Sequence, residues 1–401
     1  MASFAGLRGT GDWGTDERPK NFREMILWSN PNGSAPLTAL LARMKKQSVN
    51  DPEFNWWEET LSAVRVTVNY TTGYDSTANT IIIDSGGLSL VAGDVLLIER
   101  TEDTGYSNEI VIVSSVTGDT VIVIKRGQAG TTKADVSGTA SGLFDGNALT
   151  KIGNAFEEGT TSPNVSLRNP TKYHNFTQIF KTAVEETRTA TQTFARTGDA
   201  WNNDKKRKSF DHSVALEFAF MWGKHYEDTG GTKPKRYTGG LREFITTNNT
   251  IFATTPTEDT LLNALYPVFN YDSGGAGNER IVFAGNGALN SLNKLARNSS
   301  STRVNFDNTV KFYGMELQRW ITPQGTFFVK THPLMNLHTR FANSMFIINP
   351  AGLIYRPMMD TKFQDNIQAN DADCRKGQWI TEAGLEVHYE PSMAYIGNFV
   401  V

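Results

Sequence analysis

The sequence predicts an α+β chain interrupted by a small β-barrel or β-sandwich, and three observations predict it. From "EFNWWEETLSAVRVTVNY" onward the apolar period becomes two, and short β-branched runs follow one another between turn signals. Further on, "NNDKKRKSFDHSVALEFAFMWGKHYEDTGG" carries a single long helical stripe. Beyond Gly230-Gly231, short helical and extended pieces alternate without long βαβ repetition, the mark of an α+β region.

Taken in order, residues 1–20 are rich in Gly, Asp and Arg without periodicity and read as an irregular arm. "NFREMILWS" is a short amphipathic helix candidate. Pro36 then breaks the chain, and Leu37, Leu40, Leu41 and Met44 form the stripe of a second short helix. Two short helices on loops bury little between them, so both are expected to lie against something else. Val64, Val66 and Val68 alternate with Arg65 and Thr67 in a half-buried strand.

The runs "NTIIIDSGG", "GDVLLIER" and "NEIVIVSSVTGDTVIVIKRG" continue the β pattern, with a hairpin turn at Thr117-Gly118-Asp119. Val111 and Val113 alternate with Ile110 and Ile112, so both strand faces are apolar and the module, about residues 66–140, is expected to be core-like. "SGTASGLFDGNALTKIGNAFEEG" reads as a return to flexible composition, and the threonine-rich "NPTKYHNFTQIFKTAVEETRTATQTFA" as extended chain. The long helix is expected at about 204–229, with Phe210, Val214, Phe218, Met221 and Trp222 on its stripe and Gly230-Gly231 as its stop. After it come a helix in "TEDTLLNALYPVF", a strand in "RIVFAG" and a helix in "NGALNSLNKLAR" capped by Asn286. Strands in "NTVKFYGMELQRW", "GTFFVKTH", "SMFIINPAGLIYRPM" and "GLEVHYEPSMAYIGNFVV" close the chain.

Composition narrows the function classes. The 401 residues carry 39 Lys and Arg against 42 Asp and Glu, a formal net charge of −3, which argues against a surface that grips nucleic acid or anionic lipid throughout. The single cysteine, Cys374, excludes an intrachain disulfide and any multi-cysteine metal site, and is expected to be buried or half-buried. No run approaches the ~18 apolar residues of a membrane helix, and "MASFAGLRGTGDWGTDERPK" lacks the apolar core of a secretory signal. The chain is therefore expected to work in a cytoplasm, or in something assembled there, without a membrane.

Motifs for chemistry are weak. Histidines 174, 212, 225, 332, 338 and 388 form no His-x-x-x-His or His-Glu-x-x-His pair. "FAGNGALNSL" has strand, Gly285-x-Gly287 and helix but lacks the third glycine and the lysine of a phosphate loop. "DADC" lacks the further oxygens of a calcium loop, and no Gly-x-Ser-x-Gly elbow is present. The residues point to no catalytic site, no metal and no cofactor. One cluster resists a bland account: Lys205, Lys206, Arg207 and Lys208 lie at or before the start of the long helix, where cations oppose its dipole. They read either as a solvated lead-in or as a contact with acidic residues of another subunit or with nucleic acid.

The order of parts resembles the major capsid proteins of tailed bacteriophages, the Hong Kong 97 type of fold. The resemblance is carried by "EAGLEVHYEPSMAYIG", similar to that family's last strands, by the long helix, and by the strands around 55–68 and 172–190, which look like the two sides of its extended loop. "NFREMILWSNPNGSAPLTALLARM" is similar to the arm and junction of a branch with a β insertion.

The resemblance implies an arm and junction at 1–52, an extended loop at 53–190 containing the β-module, a peripheral domain at 191–245 and an axial domain at 246–375. Closing strands of both domains occupy 376–401. It implies a non-enzymatic shell protein forming hexamers and pentamers of an icosahedral head around double-stranded DNA, in a virion assembled in the bacterial cytoplasm. Portal, separate scaffolding and decoration proteins would be its partners. Phe22, Trp28, Phe54, Trp56 and Trp57 are expected at contacts between subunits. The other reading is a phage tail or host-surface binding protein carrying a β-module.

Overall fold

The computed structural model describes residues 36–41, 45–59, 65–99, 109–133, 143–167, 169–193, 198–271, 277–298, 306–312 and 315–401. The arm, the helix expected in "NFREMILWS", Met44 and Val64 lie outside these residues. The chain divides into two compact units, one of residues 1–56 and 173–401 and the other of residues 57–172.

The second unit is a six-stranded antiparallel sheet. Its strands run in the order Arg65–Thr67, Ala148–Asn154, Asp94–Glu99, Ile110–Thr117, Val121–Gln128, Thr80–Ile82. The two outer strands meet as well: Val68 bridges Ile83, Asn69 N–H donates to Ile82 at 3.0 Å and Asp84 N–H donates to Thr67 at 2.9 Å. The sheet is thus closed into a barrel, which resolves the barrel-or-sandwich alternative. Val66, Ile81, Leu96, Val111, Ile122 and Leu149 point inward with period two.

Two expectations are corrected here. Ile110 and Ile112 are only half-buried, because a barrel has one interior and their alternates Val111 and Val113 fill it. The module also extends past residue 140: Ala148–Asn154, expected in flexible chain, is a strand between two others, with Ala148 and Leu149 buried. Its Gly153 and Asn154, with Asn147 just before it, hid an apolar pair that the barrel core uses.

In the first unit, strands Leu353–Gln364, Cys374–Val387 and Gln178–Thr187 make a three-stranded antiparallel sheet, against which the long helix packs through Phe180. A seven-stranded mixed sheet follows, in the order Asn249–Ile251, Ala394–Gly397, Met345–Ile348, Glu279–Ala284, Thr326–Thr331, Met315–Ile321, Phe306–Phe312. Both of its faces are covered. Ile281 and Phe283 join the core under the long helix, while their alternates Val282 and Ala284 join a second core with Leu261 and Leu265 of helix Glu258–Leu265 and Leu292 of helix Asn286–Asn298. Strands Glu53–Glu58 and Thr171–Phe176 pair in a two-stranded ribbon.

The long helix spans Ala200–Trp222, earlier at both ends than the sequence predicts. Asp199 caps it by accepting from Asn202 N–H at 3.2 Å. It stops at Gly223, where a Cβ would lie 2.3 Å from the Ala219 carbonyl and 2.4 Å from that of Thr238. Gly230-Gly231 instead falls between the paired strands Tyr226–Asp228 and Lys235–Tyr237. The buried stripe is also different: His212, Leu216, Glu217, Phe220 and Met221 are inside, whereas Phe210, Val214, Phe218 and Trp222 are half-buried. The short helix Pro36–Leu41 does lie against something, with Leu37, Leu40 and Leu41 in the same core as Leu216 and Phe220. Helix Asn286–Asn298 begins at Asn286 itself, so the expected cap is replaced by Asn336, whose Oδ1 accepts from Asn286 N–H at 2.7 Å. Among the described residues, no helix is long and apolar enough to cross a membrane.

Candidate assembly surface

Polar groups on the inner side of the long helix fasten distant parts of the chain. Glu217 is fully buried, and its carboxylate accepts from Leu37 N–H and Thr38 N–H, each at 2.7 Å, and from the Thr38 hydroxyl. His332 Nε2 donates to it at 2.8 Å. Four donors replace the hydration that a buried carboxylate loses, and the orphan N–H groups at the start of helix Pro36–Leu41 gain an acceptor 180 positions away. His212, deeper along the helix, lies between the Thr182 hydroxyl at 3.0 Å from Nδ1 and the Thr381 hydroxyl at 2.8 Å from Nε2. Burial pushes its pKa below the ordinary histidine value, so the neutral ring is the packed form.

A second buried carboxylate, Glu386, is bonded by His388 and Arg356. Burial acts to raise its pKa, and these hydrogen bonds outweigh it, leaving the group below the ordinary carboxylate value. Around this cluster the foot of the ribbon docks: Trp56 stacks on Tyr173 at 6.0 Å and meets Phe244 at 5.7 Å and His388 at 5.9 Å. Phe54 and Trp56 are therefore buried in their own chain, which corrects their expected place between subunits. The strand alternates, so both face inward and Trp57 faces out, 61% exposed. Phe22 and Trp28 lie outside the described residues.

The basic run sits within the helix rather than ahead of it, since Asp199 starts the helix one turn before Lys205. Its members separate. Lys208 pairs with Asp211 at 3.2 Å, and Lys205 Nζ lies 3.9 Å from the centre of the Phe363 ring. Lys206 and Arg207 are exposed. The neighbouring sheet end is of mixed charge, with Arg375–Asp365 at 2.7 Å and Lys376–Glu185 at 3.1 Å. Cys374 is half-buried there and donates its thiol to Glu185 at 3.2 Å.

Sequence reasoning missed an aromatic groove of about 630 Å³ beside the end of the long helix. Phe218 and Trp222 form its wall, and Tyr226 and Tyr237 its open side, 60% and 43% exposed. The tyrosines face each other across the pair of strands that follows Gly223. The available signal was the doublet "HYED" and "KRYT", a tyrosine among charges on each side of a glycine turn.

Among the described residues, no group of three or more His, Cys, Asp or Glu is placed to hold a metal ion. The geometry offers fastened pieces and exposed aromatics, which are means of association. A long helix under a three-stranded sheet, with an extended ribbon paired beside it and a mixed sheet beyond, is the arrangement that the Hong Kong 97 resemblance implied. The class is that of a tailed-phage capsid subunit. The model of the SU10 major capsid protein matches residues 7–399, and the chain belongs to this family.

The chain is similar to a major capsid protein of Pseudomonas phage PaMx41, 26% identical over 344 residues that cover 84% of this chain and 78% of that one. Among solved structures it is similar to the capsid of a native GTA particle, at 9% identity, 98% of each chain covered and a TM-score of 0.46. A second is that of Microbacterium phage Oxtober96, at 12% identity, 95% of each chain and a TM-score of 0.45. The family assignment rests on the family match and not on these two structures. It makes the protein a phage major capsid protein and a component of the virion, in a family of structural proteins. The reading as a tail or host-surface binding protein is not favoured.

Proposed function

We propose that copies of this chain close into hexamers and pentamers of an icosahedral head around double-stranded DNA, assembled in the bacterial cytoplasm with a portal and separate scaffolding or decoration proteins. In this reading residues 1–52 are arm and junction, 53–190 the extended loop, 191–245 the peripheral domain, 246–375 the axial domain and 376–401 the closing strands. The barrel, an insertion in the loop, runs on to Asn154. The observation that supports association most directly is the set of large side chains left in water by a single copy, among them the aromatics Trp57, Tyr226 and Tyr237. Many modest contacts of this kind sum through multivalency into a durable particle.

The exposed part of the basic run, Lys206 and Arg207 with Lys205 and Lys208 beside them, contributes contacts to an acidic neighbouring surface or to packaged DNA. Trp57 contributes an apolar contact between subunits. Expression of the chain alone and with its neighbouring genes, followed by negative-stain imaging, tests the reading. Rings or uniform shells are expected. A lone monomer under every assembly condition overturns it.

A further inference from the structure

The groove beside Gly223 has a chemical complement elsewhere on the same unit. Lys224 lines the groove, and the segment 224–237 that supplies its two tyrosines carries Lys224, Lys233, Lys235 and Arg236 against Glu227 and Asp228. Arg236 is paired with Glu227 at 2.8 Å, and the three lysines are exposed. Helix Glu258–Leu265 shows the opposite pattern. Glu258 and Asp259 occupy its first turn, and Leu262 and Tyr266 follow on its outer side, 38% and 49% exposed. The two acidic groups complement the dipole of their own helix, Asp259 exposed and Glu258 half-buried.

The two surfaces lie on opposite faces of the seven-stranded sheet. Trp222, the groove wall, packs on the core that contains Phe283 and Phe346, whereas Leu261 and Leu265 pack on the core of the other face with Val282 and Ile347. One copy therefore cannot bring its own helix to its own groove. Two copies can, and the contact then repeats from one to the next as a head-to-tail series that closes by rotation.

We propose that the groove lined by Phe218, Trp222, Tyr226 and Tyr237 receives the helix Glu258–Leu265 of a second copy of this chain, with Lys224 and Lys235 facing Glu258 and Asp259. The proposal rests on the self-association reading and gives it a specific pair of surfaces. Aromatic walls meet Leu262 and Tyr266, which supplies the apolar centre of the contact, and the charged groups fix orientation and exclude the like-with-like pairing of two basic segments.

The test uses the full chain under the conditions that give rings or shells, in a Cys374→Ser background. Tyr237→Cys and Leu262→Cys are introduced separately and together, and the assembled material is oxidised mildly. Mixed single variants should give disulfide-linked dimers, and the double variant should give a ladder of linked chains. In a parallel arm, Lys224→Glu with Lys235→Glu, and Glu258→Lys with Asp259→Lys, should each lower the yield of assembled material by about tenfold or more, while the four changes together restore it to within about threefold. Restoration separates a charge contact from a general loss of folding. Shells that form without the cross-link, or charge changes whose effects accumulate instead of cancelling, overturn the proposal and leave the capsid reading intact. Failure of the unaltered chain to form any multimer overturns both.

Discussion

The barrel and the long-helix unit keep themselves together by different means. Among the described residues, the barrel encloses an apolar core and a fully buried ion pair, Arg126 with Glu109 at 2.7 Å, from which Arg126 also reaches the Asp75 carbonyl at 3.1 Å, 51 positions away. The long-helix unit buries His212, Glu217, Arg280, His332 and Glu386 as well as its apolar residues. The partners of Glu217 and His332, with one partner each of His212 and Arg280, come from 112 to 180 positions away. Glu217 joins a six-residue helix to the long helix and to the segment at His332. A closed β-structure brings its strands together through backbone bonds. A unit made of separately entering pieces needs polar fasteners to fix where each piece sits.

The largest test of this contrast is Glu217→Ala. It leaves the Leu37 and Thr38 donors and His332 without their acceptor, and loss of one partner of a buried charged network costs ~3–5 kcal/mol. Urea unfolding of unassembled subunits reads it, and a change below ~1 kcal/mol would mean that the fastener is idle. In the barrel, Arg126→Met alone should be comparably damaging, and Arg126→Met with Glu109→Leu should recover only part of the loss, because an apolar pair replaces the ion pair while Gly127 N–H and the Asp75 and Ala78 carbonyls lose their partners. If Glu217 with His332 proves equally replaceable by apolar residues, the two regions do not differ in this way.

A smaller effect comes from pH. Because burial depresses the folded pKa of His212, the unfolded chain takes up that proton first as the pH falls. The contribution of His212 is therefore complete above about pH 6.5 and declines from there toward the lowered folded value. His212→Gln should flatten this part of the stability profile, measured by thermal melts across pH 5–8; an unchanged slope assigns it to other groups. The smallest effect is expected from joining Glu58 to Thr171 by a two-residue Asn-Gly turn. The paired strands Glu53–Glu58 and Thr171–Phe176 then become a hairpin, and the long-helix unit should keep its melting temperature. Loss of the fold would show that the barrel is needed beyond itself.

Much of the architecture was legible because it rests on period. Alternation revealed the barrel strands and the inward set that includes Val111, and three- and four-residue spacing revealed the long helix. What failed to show depends on groups brought together by folding. The helix ended at Gly223 because Ala219 and Thr238 crowd it, and no local signal separates that glycine from Gly230. The buried stripe runs through His212 and Glu217 because their hydrogen-bond partners are at Thr381, His332 and Leu37. Trp56 and Trp57 are chemically alike and adjacent, and strand pairing alone decides which one is covered. The groove was hidden for the same reason, since Phe218 and Tyr237 share it only once the chain has turned back at Gly230-Gly231.

Closure of the barrel through Val68 and Ile83 has a bearing on life in a crowded wall. Each of its six described strands has a neighbour on each side over at least part of its length, which leaves less bare edge of amides and carbonyls to the next molecule than an open sheet would. Such a module can be held at very high local density with less tendency to zip into fibrous aggregates than an open sheet of the same sequence.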